Sequence, residues 1–137
     1  NVGVFNQRRT KLSDSIDTQS EHSQMVDRLF KPGWKIIEQM TSDKVEAWHA
    51  GTGISGEAGE LLDAVKRYAV YGKEIDRGNV IEELGDLEFY MEALRQNLSI
   101  TREQTLLHNM DKLEKSKTAR YKGGYTDQAA IERSDKQ

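Results

Sequence analysis

The chain has 137 residues, 36% of them hydrophobic and 31% charged, and a formal net charge of -3. That length sets one domain of ordinary size, and the composition suits a small helical domain with solvated outer faces or an oligomer that completes its core with a partner. With no cysteine there are no disulfides and no thiolate metal site; no run nears the ~18 apolar residues of a membrane span, and no apolar stretch follows a basic N-terminus, so the expected location is the cytoplasm.

Residues 1–20 are polar, without a sustained apolar period, and are expected to form an N-terminal arm. A short helix is expected over about 21–30, carrying Met25, Val26, Leu29 and Phe30 and ended by Pro32-Gly33. Thr41-Ser42-Asp43 offers N-cap chemistry for a helix over about 43–71. Ile54, Ala58, Leu61, Val65 and Tyr68 repeat at helical spacing there, widened by Leu62 and Ala69. Gly51, Gly53 and Gly56 weaken that helix midway, which allows a kink near 51–53. Gly72 reads as its stop. A third helix, about 78–97, carries Val80, Leu84, Leu87, Met91, Leu94 and Leu98. Thr101 and Gln104 have capping-box form and open a fourth helix, about 101–119. Gly123-Gly124 ends it, and residues 123–137 read as a polar tail. No segment alternates as a strand does. The expected fold is all-α, a four- to five-helix antiparallel bundle, with the domain proper over 21–122.

Charge is unevenly spread. From Glu57 to Glu92 ten acidic residues face four basic ones, whereas from Lys112 to Lys122 five basic residues face one acid. Two solvated faces that attract each other would explain this; so would a metal-binding acidic half beside an anion-binding basic half.

Within the acidic half, EAGEL at 57–61 and ELGDL at 83–87 each hold two carboxylates three residues apart around a glycine. Residues three apart share a helix face, so Glu57 points with Glu60, and Glu83 with Asp86. Both pairs flank apolar stripes and meet at the edge of a helix interface if those stripes pack. Gly59 and Gly85 leave room there for a close approach or a ligand. Converging carboxylates need protons or a cation to neutralise them, and a hard divalent ion with oxygen ligands suits the set. Solvated ExxE and ExxD patterns are common on exposed helices; the matched glycines and leucines and the adjoining core stripes favour a metal site. Glu46 and His49 form a single ExxH, half of what a di-iron bundle requires. The chain has no GxxxxGK[ST] phosphate loop. The basic end, with Lys112, Lys115 and Arg120, offers cations for phosphate oxygens. Trp34, Trp48, Phe89, Tyr68 and Tyr71 are aromatic candidates for stacking on a base, though such residues more often serve a core.

EAGELLDAVKR followed by EELGDLEFYMEAL resembles the core of the MazG-like, all-α nucleoside triphosphate pyrophosphohydrolases, whose signature is ExxE, a spacer, then ExxD. Asn109, Lys112, Arg120-Tyr121 and Gly124-Tyr125 resemble the family's looser downstream pattern. The resemblance covers about 45–125. It implies Mg²⁺-dependent cleavage of a (d)NTP between its α and β phosphates, with Mn²⁺ a candidate substitute. It makes Glu57, Glu60, Glu83 and Asp86 the metal ligands, and one of them, or Glu82, the residue orienting water. It assigns Lys112 and Arg120 to the phosphates and Asn109 to the phosphate tail or sugar. It also implies a homodimer or homotetramer, a nucleotide rather than a nucleic acid or membrane as partner, and a house-cleaning or phage-encoded type. The contrasting expectation is a non-catalytic helical oligomerisation or regulatory module.

Overall fold

The computed structural model describes residues 12–136, in two compact units that divide between Met40 and Thr41. The described residues contain helices and one isolated bridge, Lys122 with Gly124, and no strand, so the all-α expectation holds.

In the first unit, α1 spans Leu12–Leu29 and α2 spans Gly33–Ile37. The helix thus begins nine residues before the expected start at 21. Residues 12–20 carry no Gly or Pro to interrupt it, although their sparse apolar pattern gives no period to read. Pro32, at φ -65°, separates the two helices and caps the second. The rest of the polar arm, residues 1–11, lies outside the described residues.

The second unit is built on α3 (Ser42–Ala69) and α4 (Arg77–Asn97), which pack as an antiparallel pair. Thr41 caps α3, its hydroxyl accepting from the Lys44 N–H. Gly72, at φ +61°, turns the chain after α3, and the Lys73 N–H donates to the Arg67 carbonyl. Asp76 caps α4, its carboxylate accepting from the Asn79 N–H at 3.0 Å. Gly51, Gly53 and Gly56 produce no break in α3.

The register is fixed at three levels. Asn97 donates to the Asp43 carbonyl and to Glu46 at 3.1 and 3.3 Å. Tyr90 lies against Gly53, where an added Cβ would sit 2.5 Å from the ring's Cγ. Glu83 faces Glu57 and Glu60. Close approach therefore occurs at Gly53. An added Cβ at Gly59 or Gly85 meets nothing within 4 Å, so the two motif glycines border open space instead of the helix contact.

The packed faces differ from the expected stripes by part of a turn. On α3 the covered positions are Ala50, Gly53, Ile54, Glu57, Leu61 and Ala64; Ala58, Leu62, Val65 and Tyr68 are exposed. On α4, Glu83 is buried while Leu84 and Leu98 are about half exposed. Small residues at the contact allow the helices to come close, and this draws the carboxylates into the seam. The apolar residues left outside are not covered by the described residues.

α5 (Arg102–Met110) starts with the expected capping box: the Thr101 hydroxyl accepts from the Gln104 N–H, and the Gln104 side chain accepts from the Thr101 N–H. It passes into a π-helical turn, Asp111–Lys115, four residues short of the expected end near 119. The tail carries another short helix, α6 (Asp127–Glu132), capped by Thr126. The extensive pairing among the described residues is that of α3 with α4. No helix among them is long and apolar enough to cross a membrane.

Candidate metal centre

Glu57 and Glu60 stand one turn apart on α3, and Glu83 reaches them from α4. One carboxylate oxygen from each lies within 4.8 Å of the other two. Glu57 is half-buried, Glu60 exposed, and Glu83 only 6% exposed. Glu83 is held in the seam because its neighbours on the packed face, Val80 and Leu87, are themselves partly covered there. Its carboxylate makes no hydrogen bond or ion pair among the described residues; its oxygens keep their contact with solvent through the cleft that it lines. Burial, then the charges of Glu60, Glu57, Glu82 and Asp86 in that order, push its pKa above the usual carboxylate range.

A carboxylate so placed is destabilised as an anion unless something positive meets it. The donors are all oxygens, which matches Mg²⁺ or Mn²⁺ and disfavours softer ions. Asp86 and Glu82 lie outside the closest three, yet both are near enough to act on Glu83.

Two clefts lie along the α3–α4 seam, one of them lined by Glu60 and Glu83 and the other by none of the four motif carboxylates. One, about 220 Å³, is lined by Glu60, Asp63, Ala64, Arg67, Lys73, Glu74, Asp76, Asn79 and Glu83. The other, about 470 Å³, is lined by Glu46, His49, Ala50, Phe89, Tyr90, Ala93, Gln96 and Asn97. Its member nearest the carboxylates is Tyr90, which packs against Gly53 and lies one turn from Asp86 on α4. Tyr90 packs edge-on to His49 and Phe89, with ring centroids 6.0 and 5.2 Å apart. The pair of helices thus presents an aromatic cleft, three carboxylates, and a polar cleft in succession.

The downstream basic residues stand elsewhere. Arg120 is engaged by Asp135 through two hydrogen bonds of 2.6 and 2.8 Å. Asp135 is 2% exposed at its side chain, and the Arg120 guanidinium holds its carboxyl down at about 2; Arg120 is correspondingly pushed further up. Lys112 and Asn109 line a shallow cleft with Ile100, Gln104, Thr105 and His108, which contains none of the four motif carboxylates.

Of the aromatic candidates, Phe89 lines the aromatic cleft; Trp48, Tyr68 and Tyr71 are exposed elsewhere in this unit, and Trp34 belongs to the first unit. Tyr90 was missed in the sequence, where His49 was read only as part of a single ExxH. The available signal was Tyr90 four residues after Asp86, opposite a glycine that the register places within reach. Lys73, Arg67 and Asn79 carried no signal, since nothing local tells that the end of α3, the connection and the start of α4 face one cleft.

No family model, no curated protein and no solved structure matches the chain, so fold and site stand on its own residues.

Proposed function

We propose that this protein is a Mg²⁺-dependent nucleoside triphosphate pyrophosphohydrolase of MazG-like type. The observation that carries the reading is the largely buried Glu83, which brings a carboxylate oxygen within 4.8 Å of those of Glu57 and Glu60. Glu57, Glu60 and Glu83 hold the cation, with Asp86 completing the set from the next turn of α4. The bound ion supplies charge neutralisation at the phosphates.

The chain's own residues do the rest. His49, Tyr90 and Phe89 receive the base one turn along the seam, and Glu46, Gln96 and Asn97 offer hydrogen bonds to its edge. A water oxygen, oriented by Glu82 or one of the four ligands, bonds to the α phosphorus. The bond from that phosphorus to the oxygen bridging to the β phosphate breaks, and its electron pair leaves with pyrophosphate. The water's proton passes to a carboxylate and then to solvent. Positioning and charge neutralisation are most of what such a transfer asks of a protein.

The uncovered residues Leu62, Val65 and Leu84 support assembly into a homodimer or homotetramer. Among the described residues the buried apolar ones are three alanines, and no large side chain is fully buried, a thin core for a free chain. The same surface supports the second reading, an oligomerisation module without chemistry. Pyrophosphate release from a panel of dNTPs and NTPs separates the two. The hydrolase reading requires release that depends on metal and vanishes in Glu60→Gln and Asp86→Asn with helicity retained. Full activity in both variants sinks it.

A further inference from the structure

The two clefts give the seam a direction. On the side away from His49 and Tyr90, Glu60 and Glu83 open into the polar cleft at the α3–α4 connection. Three nitrogen-bearing side chains line it: Arg67 from the last turn of α3, Lys73 just past Gly72, and Asn79 from the first turn of α4. Arg67 lies seven residues beyond Glu60, roughly 10 Å along the helix.

The acids around these cations are largely committed. Asp63 accepts from Arg67 Nε at 2.9 Å and pairs with Nη2 at 2.7 Å, both through the same oxygen, which orients the guanidinium and leaves Nη1 free of partners. Asp76 is occupied capping Asn79. Glu60 and Glu83 belong to the cation site. The Lys73 side chain makes no hydrogen bond or ion pair among the described residues, and outside the cation site Glu74 is the one lining acid whose side chain is likewise unpaired there. The cleft therefore holds two cationic groups directly beyond the carboxylates, at the end opposite the aromatic rings.

We propose that this cleft is the subsite for the leaving pyrophosphate, with Lys73 and Arg67 holding the β and γ phosphates and Asn79 donating to them. A triphosphate then lies along the seam with its base at Tyr90, its α phosphorus at the carboxylates and its tail toward the connection. Asp63 is a positioning residue acting through Arg67. The inference rests on the pyrophosphohydrolase reading and adds a polarity and a set of phosphate ligands to it, in place of Lys112 and Arg120.

The test is calorimetric titration of the full chain with inorganic pyrophosphate in the presence of Mn²⁺, alongside titration with Mn²⁺ alone. Lys73→Ala and Arg67→Ala are expected to weaken pyrophosphate binding about tenfold each, the equivalent of one lost charge-assisted contact. Their Mn²⁺ affinity is expected to stay at the wild-type value, as is that for a nucleoside monophosphate. Both side chains are solvent-exposed, so the variants are expected to fold, which melting curves check. If both variants keep wild-type pyrophosphate and Mn²⁺ affinity, the subsite is wrong and the metal centre stands. If Lys112→Ala weakens pyrophosphate instead, the tail runs toward the downstream basic segment and the proposed polarity is overturned. If the wild type binds no Mn²⁺, the functional reading fails first and takes the subsite with it.

Discussion

Replacing Gly53 by alanine tests the helix seam at its tightest point. Alanine is favoured over glycine inside a helix by about 1 kcal/mol. At Gly53 that gain meets the Tyr90 ring, because the new Cβ would lie 2.5 Å from Cγ and closer to two further ring carbons. Carbon atoms rest at roughly 3.5–4 Å, so the ring or the helices must move by about 1 Å. Forcing an extra carbon into such a contact costs about 1–3 kcal/mol. The expected net effect of Gly53→Ala is therefore a loss of about 0–2 kcal/mol. Gly59→Ala carries the same intrinsic gain and meets nothing within 4 Å. The two variants should differ by about 1–3 kcal/mol in opposite directions from one host helix, a gap of several degrees in Tm. Thermal and urea melts followed by far-ultraviolet circular dichroism measure it. Gly53→Ala should also weaken nucleoside monophosphate binding, since the displaced ring is the wall of the aromatic cleft. Equal stabilisation by the two substitutions would refute the register that sets Gly53 against Tyr90, and with it the placement of the carboxylates.

Glu83→Gln keeps the shape and removes the charge, so the metal-free protein should melt higher than wild type at neutral pH, while the rise on adding Mg²⁺ should disappear; a lower metal-free Tm would contradict the account of a repelled carboxylate. Because the folded-state pKa of Glu83 is raised, wild type binds more protons folded than unfolded, and its metal-free stability should increase as pH falls from neutral toward the ordinary carboxylate range; Glu83→Gln should flatten that trend. Asp135 has the opposite sign: held at about 2, it contributes stability that is full above the ordinary carboxylate range and is lost as pH falls through about 2, so Asp135→Asn should lower Tm at neutral pH and blunt the acid transition. Mg²⁺ at 100 times its dissociation constant should stabilise the wild type by about 2.7 kcal/mol, and a chelator should reverse this.

Much of the local structure was readable from residue types. Thr41, Thr101 with Gln104, and Gly72 act as the caps and stop their chemistry implies, because capping depends on a few neighbouring backbone groups. The pairing of Glu57 with Glu60 across one turn was equally local. The rotation of the packed face was not readable. Apolar spacing tells which side of a helix avoids water, and Val65, Tyr68 and Leu84 do repeat correctly; it does not tell whether this chain or another surface covers them. The seam instead follows Ala50, Gly53 and Ala64, whose small size permits close approach, and Glu83 enters as a consequence. The Arg120–Asp135 pair, fifteen residues apart in the chain, depends on how the tail turns back, which no local pattern encodes. Early in the chain, the first half of α1 (residues 12–20) lacked an apolar period, so only the absence of breakers marked it.

The central claim, that Glu57, Glu60 and Glu83 form a cation site serving triphosphate cleavage, is tested most directly by product analysis of a deoxynucleoside triphosphate incubated with the protein and Mg²⁺. The account expects equimolar nucleoside monophosphate and pyrophosphate, with no orthophosphate, and no turnover with a chelator or in Glu60→Gln. Orthophosphate and diphosphate products, or unchanged turnover in Glu60→Gln, would contradict it.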